Sequence, residues 1–142
     1  MLTIDQTELA DRLRLAVGRL ARRLRQQSLG DITPSQRSVL HTLDRYGEMT
    51  MSELANIEAV SRPSVTGIVS RLTDRNLVAQ RPHDDDGRSS VVDLTSTGSD
   101  FLETGRKERT AYLSGKMADL STQELEILDN AASILDRMVD ER

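Results

Sequence analysis

Cysteine and tryptophan are missing from this sequence, and its aromatic side chains amount to one Phe and two Tyr in 142 residues. Without Cys there is no disulfide framework, no thiol redox sensor and no thiolate metal site. With so few aromatics, a core has to be assembled from Leu, Val, Ile and Ala, which suits a helix-rich fold. No uninterrupted apolar run approaches the roughly 20 residues of a membrane span. The start, Met1-Leu-Thr-Ile-Asp5, lacks the basic and apolar stretches of a secretory signal. A cytoplasmic protein with no membrane contact is the expectation. Catalytic patterns are missing too. There is no Gly-rich phosphate loop and no His-Glu-x-x-His, and His41 and His83 stand far apart without a Ser or Cys pattern around them. His41 lies beside core positions of a helix and reads as structural. Neither an enzyme nor a cofactor is expected.

Charge is plentiful but unevenly placed. The net charge is −4 and the pI about 5.2, which argues against a nucleic-acid partner when taken alone. Residues 1–48 carry eight basic and six acidic groups, residues 49–95 five and seven, and residues 96–142 six and ten. The acid is therefore concentrated at the C-terminal end. Any DNA contact elsewhere has to use a few placed cations.

Hydrophobic spacing predicts helices through most of the chain. Leu9, Leu13, Val17, Leu20 and Leu24 recur at helical intervals over about Asp5–Ser28, with Gly30 as a stop. The other face holds Arg12, Arg14, Arg19, Arg22, Arg23 and Arg25, which read as solvated. Thr33 can cap a second helix that opens on Pro34, buries Val39, Leu40 and Leu43, and ends at Tyr46-Gly47. Met49-Thr50-Met51 reads as a short extended piece. Ser52 then caps a third helix, about Glu53–Ile57, with Leu54, Ala55 and Ile57 inward. After Glu58-Ala-Val-Ser61 comes a fourth helix, with Ser61 as its cap, Pro63 in its first turn and Asn76 at its end. Two short helices so joined have the spacing of a helix-turn-helix. Strands follow at Leu77–Arg81 and Ser90–Leu94, joined by the turn-forming Pro82–Ser89. Thr95 caps a long helix, about Ser96–Ala118, and Ser121 caps a last one, about Thr122–Asp140.

The fourth helix has one apolar face, made by Val65, Ile68, Val69 and Leu72. Its opposite face holds Pro63, Gly67, Ser70 and Asp74, flanked by Ser64, Thr66 and Arg71. Gly67 stands out, because an exposed helical Gly costs about 1 kcal/mol against Ala. Close approach of another surface accounts for it, and a DNA major groove is such a surface. An ordinary polar helix face is the other reading. On the last helix, Leu125, Leu128, Ala132, Leu135 and Val139 form a seam spaced for helix pairing, within a protomer or between two. Asp84, Asp85 and Asp86 lack the alternate spacing and terminal Glu of an EF-hand, so no metal is expected.

The order of these elements resembles the MarR (multiple antibiotic resistance regulator) family. Met51-Ser-Glu-Leu-Ala55 matches its first motif helix, and Ser61-Arg-Pro-Ser-Val-Thr-Gly-Ile-Val-Ser-Arg-Leu72 is similar to its recognition helix. Leu77-Val-Ala-Gln-Arg81 resembles its first wing strand, and Asp86-Gly-Arg88 ahead of Val92-Asp-Leu-Thr95 its wing signature. Asn76 stands where the family commonly has Gly. The resemblance implies a mainly α fold with a small β-hairpin wing, a winged helix-turn-helix between N- and C-terminal dimerisation helices. It makes residues 1–142 one domain, with about 33–95 the DNA-binding lobe and about 5–28 and 96–142 the dimerisation helices. It implies a homodimer on a pseudo-palindromic double-stranded operator, acting as a repressor released by a small aromatic or phenolic effector. Candidate DNA contacts are Ser61, Arg62, Pro63, Ser64, Thr66, Gly67, Ser70 and Arg71 on the recognition helix, and Asp86 and Arg88 in the wing. Asp86 would orient an arginine and Arg88 enter the minor groove. Tyr46, Phe101 and Tyr112 are the only aromatics available to an effector pocket, and core packing is the expected role of each. The alternative is a winged helix used as a protein-interaction module without specific DNA binding, which the low basicity favours.

Overall fold

The computed structural model describes residues 3–27, 32–82 and 90–140. The chain runs as α1 (Gln6–Gln26), α2 (Pro34–Tyr46), β1 (Met49–Thr50), α3 (Met51–Glu58), α4 (Arg62–Asp74), β2 (Val78–Pro82), β3 (Ser90–Leu94), α5 (Ser96–Lys116) and α6 (Thr122–Val139). Gly30, proposed as the stop of α1, lies outside the described residues. Helix starts follow short polar side chains that accept orphan backbone N–H groups. Asp5 accepts from Thr7 and Glu8. Thr33 with Gln36 and Ser121 with Glu124 close reciprocal capping boxes. The Thr95 hydroxyl accepts from Gly98 N–H at 2.9 Å.

The third helix departs from the sequence reading. Its cap is Thr50, whose hydroxyl accepts from Glu53 N–H at 3.1 Å, so Met51 and Ser52 already belong to α3. Met51 is buried, whereas Ile57, read as inward, is 50% exposed. Tyr46 is also outside the core, at 61% exposure.

Two compact units emerge, Ser28–Lys107 and a second made of Met1–Gln27 with Glu108–Arg142. In the first, Val39, Leu40 and Leu43 of α2 meet Leu54 of α3, Val65, Val69 and Leu72 of α4, Val78 and Val92 of the sheet and Leu102 of α5. Phe101 and Ile68 are partly buried against this core. Each such aliphatic side chain contributes about 1.5–3 kcal/mol when fully buried. The sheet is three-stranded and antiparallel in the order β1-β3-β2, with Met49 opposite Val92 and Val78 opposite Leu94. The extended piece at Met49–Thr50 is thus a third strand beside the hairpin. β3 is the central strand, paired on both edges, and its adjacent Val91 and Val92, which point to opposite faces, are both buried. The start of α5 is pressed onto the strand entry. A Cβ on buried Gly98 would run into the Leu77 carbonyl, which also accepts from Thr95 N–H at 3.1 Å.

The second unit has a different character. Neither α1 nor α6 contains a buried residue. Leu9, Leu13, Ala131, Ile134, Leu135 and Met138 line an open apolar trough of about 400 Å³ between them. Among the described residues, no helix is long and apolar enough to cross a membrane.

Candidate nucleic-acid interface

The connection between α3 and α4 is built from the backbone up. Ala59 adopts the left-handed region, φ 55° and ψ 43°, after the last residue of α3. Its N–H donates to the Asn56 carbonyl at 3.2 Å, and Val60 N–H donates to the Ala55 carbonyl at 3.1 Å. This paired closure satisfies the carbonyls at the helix end and turns the chain sharply. A Cβ in that conformation costs about 1–2 kcal/mol, so the turn is held by its surroundings. Asn76, at φ 60°, repeats the closure at the end of α4, with Asn76 N–H to Thr73 and Leu77 N–H to Leu72.

Side chains from neighbouring elements brace this turn. The Glu58 carboxylate accepts one hydroxyl proton from Ser38 and one from Thr42, both at 2.6 Å, tying the end of α3 to α2. Arg62 Nη1 donates to Ser52 Oγ at 2.8 Å, tying the start of α4 to the start of α3. Gln80 of β2 donates to the Thr73 hydroxyl at 3.2 Å, and Arg81 pairs with Glu48 at 2.8 Å. Further out, Arg106 bridges Glu103 and Asp44, joining α5 to α2. Its hydrogen bond and charge hold the Glu103 carboxyl below the usual carboxylate range. None of these braces was read from the sequence. Ser38 and Glu58 are twenty positions apart, and no local pattern joins them.

On this frame the eight sequence-predicted residues of α4 and its cap, Ser61, Arg62, Pro63, Ser64, Thr66, Gly67, Ser70 and Arg71, are all exposed. Their helix is anchored through Val65, Val69 and Leu72 on the opposite side. Ser61 caps it, accepting from Ser64 N–H at 3.2 Å, while the two hydroxyls lie 2.9 Å apart. Arg62, with one nitrogen given to Ser52, is partly committed to holding the motif together. Thr66 Oγ1 donates to the Arg62 carbonyl at 2.8 Å. Among the described residues nothing lies within 4 Å of where a Cβ on Gly67 would sit, so none of their packing requires a glycine there. Arg75, just past α4, lies over the Phe101 ring at 5.8 Å. His41 is exposed on α2. Asp86 and Arg88, with the rest of the 83–89 loop, lie outside the described residues.

A family model described as MarR family matches residues 32–90. Over 138 residues the chain is 37% identical to an HTH-type transcriptional regulator of Mycobacterium tuberculosis, covering 96% of each protein. Among solved structures, a transcriptional regulator of Pseudomonas aeruginosa superposes with a TM-score of 0.80 at 32% identity, over 99% of this chain and 100% of that one. The PcaV transcriptional regulator of Streptomyces coelicolor, solved with its natural ligand, has a TM-score of 0.56 at 21% identity over 96% of this chain and 98% of that one, a likeness of fold alone.

Proposed function

This chain belongs to the MarR family of DNA-binding transcriptional regulators and is not an enzyme, and from that premise we propose that it is a cytoplasmic, dimeric repressor that reads a pseudo-palindromic operator through α4. The observation that carries the reading is the outer face of α4. Small and hydroxylated side chains project there around a glycine that the described residues leave uncovered. A helix with that face enters a major groove without steric conflict and offers hydrogen bonds to base edges. Asp86 and Arg88 join the proposal from the sequence resemblance, with Arg88 in the minor groove.

Dimerisation is supported by the exposed apolar faces of α1 and α6, which include Leu9, Leu20, Leu128, Ile134 and Met138. Charge supports it as well, because α1 is rich in Arg while α6 carries Glu124, Glu126, Asp129 and Asp136. A twofold dimer presents two α4 helices to half-sites whose centres are about 10–10.5 base pairs apart. For release by an effector, the supporting feature is a hollow of about 330 Å³ between α1 and α5, lined by Ala16, Arg19, Leu20, Arg23, Tyr112 and Lys116. Three cations and one ring without an acidic neighbour in the lining suit a small aromatic anion.

The test is selection from randomised duplexes, followed by titration of the enriched duplex at several salt concentrations. Wild type is expected to enrich an inverted repeat. Arg88→Ala is expected to lose about 1–3 kcal/mol of binding and to show a log affinity against log salt slope shallower by about one unit. Failure to bind any duplex at low salt would transfer the α4 face to the protein-interaction reading.

A further inference from the structure

The hydroxyl groups on α4 differ in what they have left to offer a base, and the difference bears on which bases the helix selects. Thr66 Oγ1 lies 2.8 Å from the Arg62 carbonyl oxygen. A carbonyl has no proton to give, so the single hydroxyl proton of Thr66 is directed into its own helix. Toward the outside, Thr66 presents lone pairs only. Ser70, one turn later and also exposed, has no hydrogen-bond partner among the described residues and keeps both options. Ser61 and Ser64 share one hydroxyl–hydroxyl contact at 2.9 Å, which either of them can donate.

Base edges in the major groove divide the same way. Guanine N7 and O6, adenine N7 and thymine O4 accept, while only adenine N6 and cytosine N4 donate. A group that can only accept is therefore selective where a free serine is not. We propose that Thr66 is a specificity-determining residue that accepts a hydrogen bond from an exocyclic amine, requiring adenine or cytosine at one position of each half-site on the strand it faces. This rests on α4 occupying the major groove, as proposed above. Turning the hydroxyl outward to meet an acceptor gives up its bond to Arg62, a loss of about three- to tenfold in a binding constant. Ser70 tolerates either kind of edge at its own position.

The experiment uses the full-length dimer with wild type, Thr66→Val and Thr66→Ser, each selecting from the same pool of randomised duplexes. Valine keeps the shape and the branched Cβ but has no oxygen, and melting curves verify that folding is unchanged. Wild type is expected to restrict one half-site position to adenine or cytosine on one strand. Thr66→Ser, which keeps the oxygen without the branched Cβ, is expected to restrict it less sharply. Thr66→Val should lose that restriction at that position alone and bind the wild-type site about three- to tenfold more weakly. Replacing the adenine at that position by purine, or the cytosine by 2-pyrimidinone, removes the amine. That change should weaken wild type by the same factor and leave Thr66→Val unaffected. An enriched site that Thr66→Val reads as wild type does, or a position restricted to guanine or thymine that Thr66→Val relaxes, overturns the assignment while leaving DNA recognition standing. A wild type that enriches no sequence overturns recognition through α4 and this assignment with it.

Discussion

The winged unit and the helical unit of this protein solve the burial problem in opposite ways. Among the described residues, every buried apolar side chain belongs to the winged unit, from Ile32 to Leu102. Its helices are capped, its strands are paired and its turn is braced by Glu58 and Arg62. The helical unit holds comparable apolar residues, yet Ile134 is 47% and Met138 64% exposed. The apolar stripe of α6 stays in water within one protomer, and the proposed dimer would cover it. One unit is complete within a protomer, and the proposed dimer completes the other.

That contrast is open to direct attack. The largest effect is expected from charging the exposed stripe. Ile134→Glu with Met138→Glu should separate the subunits and lower operator affinity more than a hundredfold, because each half-site then binds without the other. Far-UV circular dichroism should retain the signal of a folded winged unit, whose core lies within one protomer. Light scattering that still reports a dimer would contradict the assignment of the interface.

The complementary change leaves the subunits together and loosens the lobe. Glu58→Ala removes the acceptor of two hydroxyl protons at 2.6 Å and frees the end of α3 from α2. Hydrogen bonds to a charged group are worth about 1.5–3 kcal/mol net, and partial exposure places this pair toward the lower figure. Thermal melting should show a loss of about 1–2 kcal/mol at unchanged dimer mass, with duplex binding weakened in step. A melt identical to wild type would mean that Glu58 does not brace the turn.

How far the sequence reached follows the same division between local and distant. The apolar face of α4 was legible because Val65, Ile68, Val69 and Leu72 repeat with the helical period, and Thr33, Ser61, Thr95 and Ser121 were legible because caps are local chemistry. Asn76 could be placed at a left-handed helix end for the same reason. The start of α3 was misplaced because Thr50 and Ser52 are both good caps. Glu53, three residues after Thr50, was the signal that favoured the threonine. Ile57 was misassigned because α3 is only eight residues long, too short to fix the phase of its buried face. The third strand was legible only as a short extended piece, because Met49–Thr50 has too few residues to show alternation. Gly98 drew no attention, since its requirement comes from the Leu77 carbonyl twenty-one positions away. The Glu58 and Arg62 braces were invisible for the same cause: their partners meet only in the folded unit.

The most direct test of the central claim, that the uncovered face of α4 is kept small for DNA, is the substitution Gly67→Ala read in two ways. Nothing among the described residues obstructs the added methyl group, and alanine favours the helix by up to about 1 kcal/mol over glycine. The melting temperature should therefore stay level or rise. Affinity for the selected operator should fall at least tenfold, because the methyl group occupies the space where a base edge would approach. Opposite signs for stability and binding are the predicted result. A variant that is more stable and binds the operator as tightly as wild type would contradict the account.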